Sequence, residues 1–259
     1  MEIILQQSPD EAALMGRRGQ LAEARGRLAE REAELAQLRA QLRAFEGRYF
    51  REVGGLYAVL DELEARIAER EVDLYGSDSA RGRAEEARRR AQETHEAAFG
   101  EDDDEADEIE PPASLKTLFR EVAKRIHPDF ARDEVEQKYF TLLMAQANQA
   151  YRRGDAETLM RLLDDHSEGS AGIAGESAAA ELERIARQIR NAERDIAGLD
   201  AERAALLGSE IAHLYEDAED AAREHRDLLA ELAAKVREEI TEAKYRLEFV
   251  DRQVWAQRK

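Results

Sequence analysis

The side chains whose types and spacing suggest chemistry converge on one short stretch. Lys116, Arg120 and Lys124 recur every four residues, Arg125 joins them, and His127-Pro128-Asp129 follows directly. Four-residue spacing sets the cations in a row on one helical face. Pro128 disfavours helical geometry at His127 and has no amide proton to donate, so the helix must end there. The cations thus form a positive row that leads into the His-Pro-Asp turn, which is displayed where the helix ends. The plain alternative is a helix stop, with Pro128 breaking the helix and Asp129 making a turn. That accounts for two residues and leaves the basic row unexplained.

Other chemistries lack their residues. The chain has no cysteine, which excludes disulfides and cysteine-based zinc sites. His95, His166, His213 and His225 show no H-x-x-x-H ligand spacing, so no metal is expected. There is no G-x-S-x-G, Walker A or Rossmann glycine pattern, and no cofactor or enzymatic activity is expected.

The elements that must hold this stretch are helices. Ser114 reads as the N-cap of SLKTLFREVAKRIH, whose Leu115, Leu118, Phe119, Val122 and Ile126 share one apolar face. Asp133-x-x-Glu136 reads as a capping box for a second helix, with Val135, Tyr139, Phe140, Leu143, Met144, Ala147 and Tyr151 along one side. Gly154 ends that helix, and Asp155 caps the short AETLMRLL helix. Two helices joined by so short a loop are antiparallel neighbours, with His-Pro-Asp at the tip. Phe119, Phe140, Met144 and Tyr151 are expected in the core.

An apolar-basic helix, His-Pro-Asp, a short loop and a helix with Asn-x-Ala-Tyr near its end resemble the J-domain family, here as LFREVAKRIHPD and MAQANQAYRRGD. The resemblance covers about fifty residues, a fifth of the chain. It implies a DnaK-type chaperone as partner. Lys116, Phe119, Arg120 and Lys124, with Arg125, would dock on an acidic patch of that ATPase, and His127, Pro128 and Asp129 would trigger its ATP hydrolysis. The chain departs from the family in four ways. An acidic segment stands where a short opening helix is usual, Glu121 occupies an often basic position, the fourth helix lacks its basic signature, and no Gly/Phe-rich or zinc-binding region follows. It is similar to bacterial proteins that embed a shortened J-domain between coiled coils.

The flanks fit that picture. Charged residues make up 37% of the chain and aromatics 6%, and Ala, Glu, Leu and Arg dominate outside the middle, a profile of long helices. The fold class expected is all-α, with long coiled-coil helices around a small helical hairpin. Residues 8–75 read as an N-terminal coiled coil opened by the Ser8-x-x-Glu11 capping box and closed near Tyr75-Gly76. Leu21, Leu28, Leu35, Leu42, Tyr49, Leu56 and Leu63 repeat by seven, with Leu38, Phe45 and Val59 filling a second seam. Val53, Leu60, Ile67 and Leu74 form another sevenfold series, one position out of step. Gly54-Gly55 coincides with that shift, where a bend, a break or a change of partner is expected.

Residues 80–98 are helical by composition without a leucine seam. Residues 100–112 carry eight acidic groups and read as a solvated spacer, with a fold-back onto the basic row as the alternative. Residues 113–166 are the J-like unit and 167–179 a second linker. Residues 180–257 carry two heptad stretches, Leu182 to Leu206 and Leu229 to Val254, divided near Gly208-Ser209. An antiparallel hairpin and a homodimer both bury those stripes. The net charge of −19 argues against nucleic acid or a membrane as the main partner. No signal-like start and no long apolar run is seen, so the expected location is cytoplasmic. Two functions follow: a co-chaperone that stimulates a DnaK-type ATPase, or a structural adaptor in which the hairpin only docks.

Overall fold

In the computed structural model, residues 9–99, 112–166 and 177–257 are described, and these are all-helical with no strand among them. The helices are α1 (Pro9–Tyr49), α2 (Gly55–Tyr75), α3 (Asp78–Phe99), α4 (Ala113–Ile126), α5 (Glu134–Arg152), α6 (Ala156–Asp165), α7 (Ala178–Leu207), α8 (Glu210–Arg223) and α9 (Leu228–Gln257). No helix among the described residues is long and apolar enough to cross a membrane. Ser8 and the acidic 100–111 segment lie outside the described residues.

The chain divides into two compact units. The first combines α1 up to Arg43 with α4 to α7, and the second combines Ala44 through α3 with α8 and α9.

In the first unit, α1 and α7 run parallel. Arg18 pairs with Glu181, Arg27 with Glu193, Arg31 with Asp200 and Arg39 with Glu202, so positions rise together along both helices. Leu21, Ala24 and Leu28 meet Ile185 and Ala192 beneath those ion pairs, with Leu14, Ile189, Ile196 and Leu199 at the margin.

In the second unit, α2 and α9 are also parallel. Glu64 pairs with Arg246 and Arg70 with Asp251. Leu63 and Ile67 pack on Val236, Ile240, Ala243 and Leu247. The antiparallel hairpin offered for the C-terminal stripes is not seen, because α7 seals its stripe on α1 and α9 on α2. The C-terminal stretch also divides into three helices. His225, in the left-handed region at φ 59°, and Asp227, which caps Ala230, separate α8 from α9. The Ser209 hydroxyl donates back to the Leu206 carbonyl at the end of α7.

The seam shift has a local cause. Phe50–Gly54 forms a π-helical turn between α1 and α2, which inserts one extra residue without breaking the rod. Val53 thereby reaches full burial beside Phe45, Leu229 and Ala233, whereas Val59, expected in a seam, is left exposed. Gly54 is required at this turn, since a Cβ there would sit 2.8 Å from the Phe50 ring. Gly76, left-handed at φ 60°, closes α2, and the Ser77 hydroxyl caps the start of α3. The helix expected at 80–98 packs on α2 through Ala80 and Ala91.

Candidate partner-docking site

Residues 113–165 fold as three packed helices, α4, α5 and α6. Leu115, Phe119, Val122, Ala123 and Ile126 of α4 meet Phe140, Leu143, Met144, Ala147, Ala150 and Tyr151 of α5 and Leu159 and Leu162 of α6. The Phe119 ring lies 5.0 Å from that of Tyr151. Contact between the middle of α4 and the end of α5 makes the two antiparallel, with the connecting turn at the opposite end. Burial pushes the Tyr151 hydroxyl up to about 12.

The ends of these helices differ slightly from expectation. Pro112, in extended geometry, precedes α4, so Ser114 lies inside the helix and is not its cap. Asp133 accepts from the amides of Val135 and Glu136, while Glu136 reaches back to the Arg132 amide. Asp155 caps α6 through the Thr158 amide and hydroxyl, following Gly154 at φ 71°. Val135 and Tyr139 are exposed and do not belong to the inner face of α5.

His127 leaves the helix in extended geometry and Pro128–Phe130 closes a single 3-10 turn. The Asp129 amide donates to His127 Nδ1 at 3.2 Å. An imidazole that accepts at Nδ1 carries its proton on Nε2, and Nε2 lies 3.6 Å from the Glu32 carboxylate of α1. The His127 residue is 7% exposed. The expected tip is therefore present as a turn but lies against α1.

The basic row is likewise neutralised from within. Arg120 donates to Glu30 of α1 at 2.9 Å, and Lys116 lies 3.8 Å from the same carboxylate. Hydrogen bonding from Arg120 holds the Glu30 carboxyl below its usual value. Lys124 donates to Glu121 at 2.8 Å, and Arg125 sits 3.6 Å from it and donates to its backbone carbonyl. The Lys124 hydrogen bond depresses the Glu121 carboxyl. Phe119, which the resemblance assigned to the docking face, is wholly buried on Tyr151 and has no surface to offer. Its place in the apolar i, i+3, i+7 row outweighs its nearness to the cations.

Phe130, for which local sequence pattern predicts no core role, anchors the turn. It is 3% exposed and enters the α1–α7 cluster between Leu21, Leu28, Ile185 and Ala192. The Arg25 guanidinium lies 4.5 Å above its ring, an attractive geometry for a cation and an aromatic face. Burial, then Arg184, lowers the Arg25 pKa. The one available signal was an aromatic side chain in a segment otherwise composed as a loop.

Asp129 is placed unfavourably. Burial first, then Asp195 of α7, pushes its carboxyl from 3.8 up to about 6. Its Oδ2 is buried with no hydrogen-bond donor. Two facing carboxyls can hydrogen-bond only if one keeps its proton, so at neutral pH this contact is repulsive. The nearby His127 and Arg194 offset part of that cost.

No protein-family model matches the chain, and no curated protein or solved structure shows significant similarity to it.

Proposed function

We propose that the protein is a J-domain-type co-chaperone that docks on a DnaK-type ATPase and stimulates its ATP hydrolysis. The observation that carries this is the His127-Pro128-Asp129 turn between the antiparallel α4 and α5, at the end of a helix bearing Lys116, Arg120, Lys124 and Arg125. On this reading the cations orient the complex electrostatically and the turn acts on the ATPase. The protein supplies no catalytic group of its own. The long parallel helix pairs serve as arms that hold a client, a scaffold or a second copy, and the setting is the cytoplasm.

A second reading is favoured by the burial of His127 and the pairing of the basic row with Glu30 and Glu121. In that reading the α4–α6 unit is a fixed part of a structural adaptor and stimulates nothing. Single-turnover ATP hydrolysis by a DnaK-type chaperone separates the two. Stimulation by the full chain that is lost in His127→Gln supports the co-chaperone. Stimulation that His127→Gln leaves unchanged refutes it, and no stimulation by the full chain even when His127 is exposed is the result the adaptor requires.

A further inference from the structure

We infer that α1 and α7 form an intramolecular cover over the His127-Pro128-Asp129 turn and the basic row, so that partner docking requires the cover to open. This rests on the co-chaperone reading and adds its regulation.

Three features argue for a cover. The first is substitution of charge. Glu30 holds Arg120 at 2.9 Å and Lys116 at 3.8 Å, and Glu32 faces His127 Nε2. Carboxylates two residues apart on α1 thus occupy the cations and the histidine that an acidic partner surface would need. One set of charges cannot serve both at once, so the internal and external contacts compete directly.

The second is anchoring by apolar burial. Phe130, next to the motif in sequence, is held by Leu21 and Leu28 from α1 and Ile185 and Ala192 from α7. The turn is thereby fixed by both covering helices.

The third is built-in weakness. Asp129 meets Asp195 with one oxygen unsatisfied, and Gln188 of α7 is 4% exposed with neither amide atom hydrogen-bonded. Unpaired buried polar groups disfavour the closed arrangement, and water can satisfy them once it opens. Moreover, α7 adds no side chain to the α4–α6 core, and α1 adds only Ala29 and Ala33, with Ala36 at its edge. The covering helices can therefore move away while the aromatic and aliphatic core of α4–α6 stays packed.

The test uses the full chain and two opening variants that spare the motif and the basic row. Ala192→Glu places a charge in the Phe130 seat from α7. Glu30→Gln with Glu32→Gln removes the competing charges and keeps the helix. Circular dichroism establishes that each variant retains its helices. Opening is read without any partner, as the rate of diethyl pyrocarbonate modification of His127 located by mass spectrometry, with His213 as internal reference.

A roughly three- to tenfold faster modification of His127 in either variant is expected, together with a comparable rise in ATPase stimulation over wild type. Unchanged His127 reactivity in both folded variants overturns the cover. Faster modification with stimulation equal to wild type overturns the regulatory role and leaves the co-chaperone reading standing. Faster modification with no stimulation by any form overturns the co-chaperone reading, and the regulation built on it falls too.

Discussion

The two units use one building scheme with opposite care for buried polar groups. Each sets an N-terminal helix parallel to a C-terminal one and seats a further helical element against it. In the second unit the buried carboxylate is Asp61, and it is fully served: Arg90 donates to Oδ1 at 2.9 Å and Thr94 to Oδ2 at 2.7 Å. In the first unit the corresponding group is Asp129, which meets another carboxyl and leaves Oδ2 without a donor. Gln188 and the Tyr151 hydroxyl in that unit are also buried and unpaired. Satisfied polar contacts specify a single arrangement, whereas unsatisfied ones favour an alternative. The second unit is built to stay closed, and the seat of the His-Pro-Asp turn is built with a reason to open.

The contrast can be broken or sharpened by substitution. The largest effect belongs to the packed centre of the α4–α6 unit. Phe119→Ala, at a site with no exposure, is expected to destabilise it by about 3–5 kcal/mol. Denaturant unfolding measures this, and a loss below 1 kcal/mol would refute the assignment of Phe119 to the core.

Next come the two carboxylates, which should respond with opposite sign. Asp61→Ala strands Thr94 and Arg90 and is expected to lower stability by about 1–3 kcal/mol. Asp195→Asn removes the charge facing Asp129 and is expected to raise the thermal midpoint at pH 7.5 by about 2 °C. If both substitutions destabilise, the contrast between the units fails.

The pH dependence of that second effect carries its own sign. A carboxyl raised from 3.8 to about 6 binds its proton more tightly folded than unfolded. The folded state is thus relatively favoured below pH 4, and this advantage is lost as pH rises from about 4 through 6. His127, Arg194 and Asp195 face Asp129, and Glu32 faces His127, so the titration belongs to the group. The gain from Asp195→Asn should accordingly shrink between pH 7.5 and pH 5. A gain that is constant with pH would show that charge repulsion is not its source.

The smallest expected effect is at Gln188. Replacement by Leu removes an unpaired buried amide between Ile185 and Ile189 and should stabilise the first unit by about 1 kcal/mol. His127 modification should slow in the same variant, which connects stability to opening.

Much of this was legible in local pattern. The all-helical class followed from composition, and the ends at Gly76, Gly154 and Asp155 followed from capping chemistry. The one-residue slip between the series through Leu56 and through Val53 located the π turn. Pairing was harder to read. An apolar stripe shows that Ile185 and Leu247 must be buried, but nothing local distinguishes a partner about 160 to 180 residues away from a neighbour or a second copy. The same ambiguity hid the cover. Glu30 and Glu32 look like ordinary solvated charges on a heptad helix until the fold brings Arg120 and His127 to them. Phe130 looks like a loop residue, and Val59, Val135 and Tyr139 fit a face by spacing but are left exposed in the fold.

The π turn at Phe50–Gly54 also makes chain length matter in the second unit. Phe45 rests on Tyr215 at 5.3 Å between ring centres, and Leu63 and Ile67 rest on Val236 and Ile240. Both contacts hold because the extra residue resets the angular phase between them. Deleting one residue from Phe50–Gly54 would leave a regular α-helix but rotate all later side chains by about 100° relative to Phe45. Local helix propensity would improve while one of the two aligned contacts was lost. Outside the buried Val53 and the close-packed Gly54, this segment should therefore tolerate changes of residue type far better than changes of residue number.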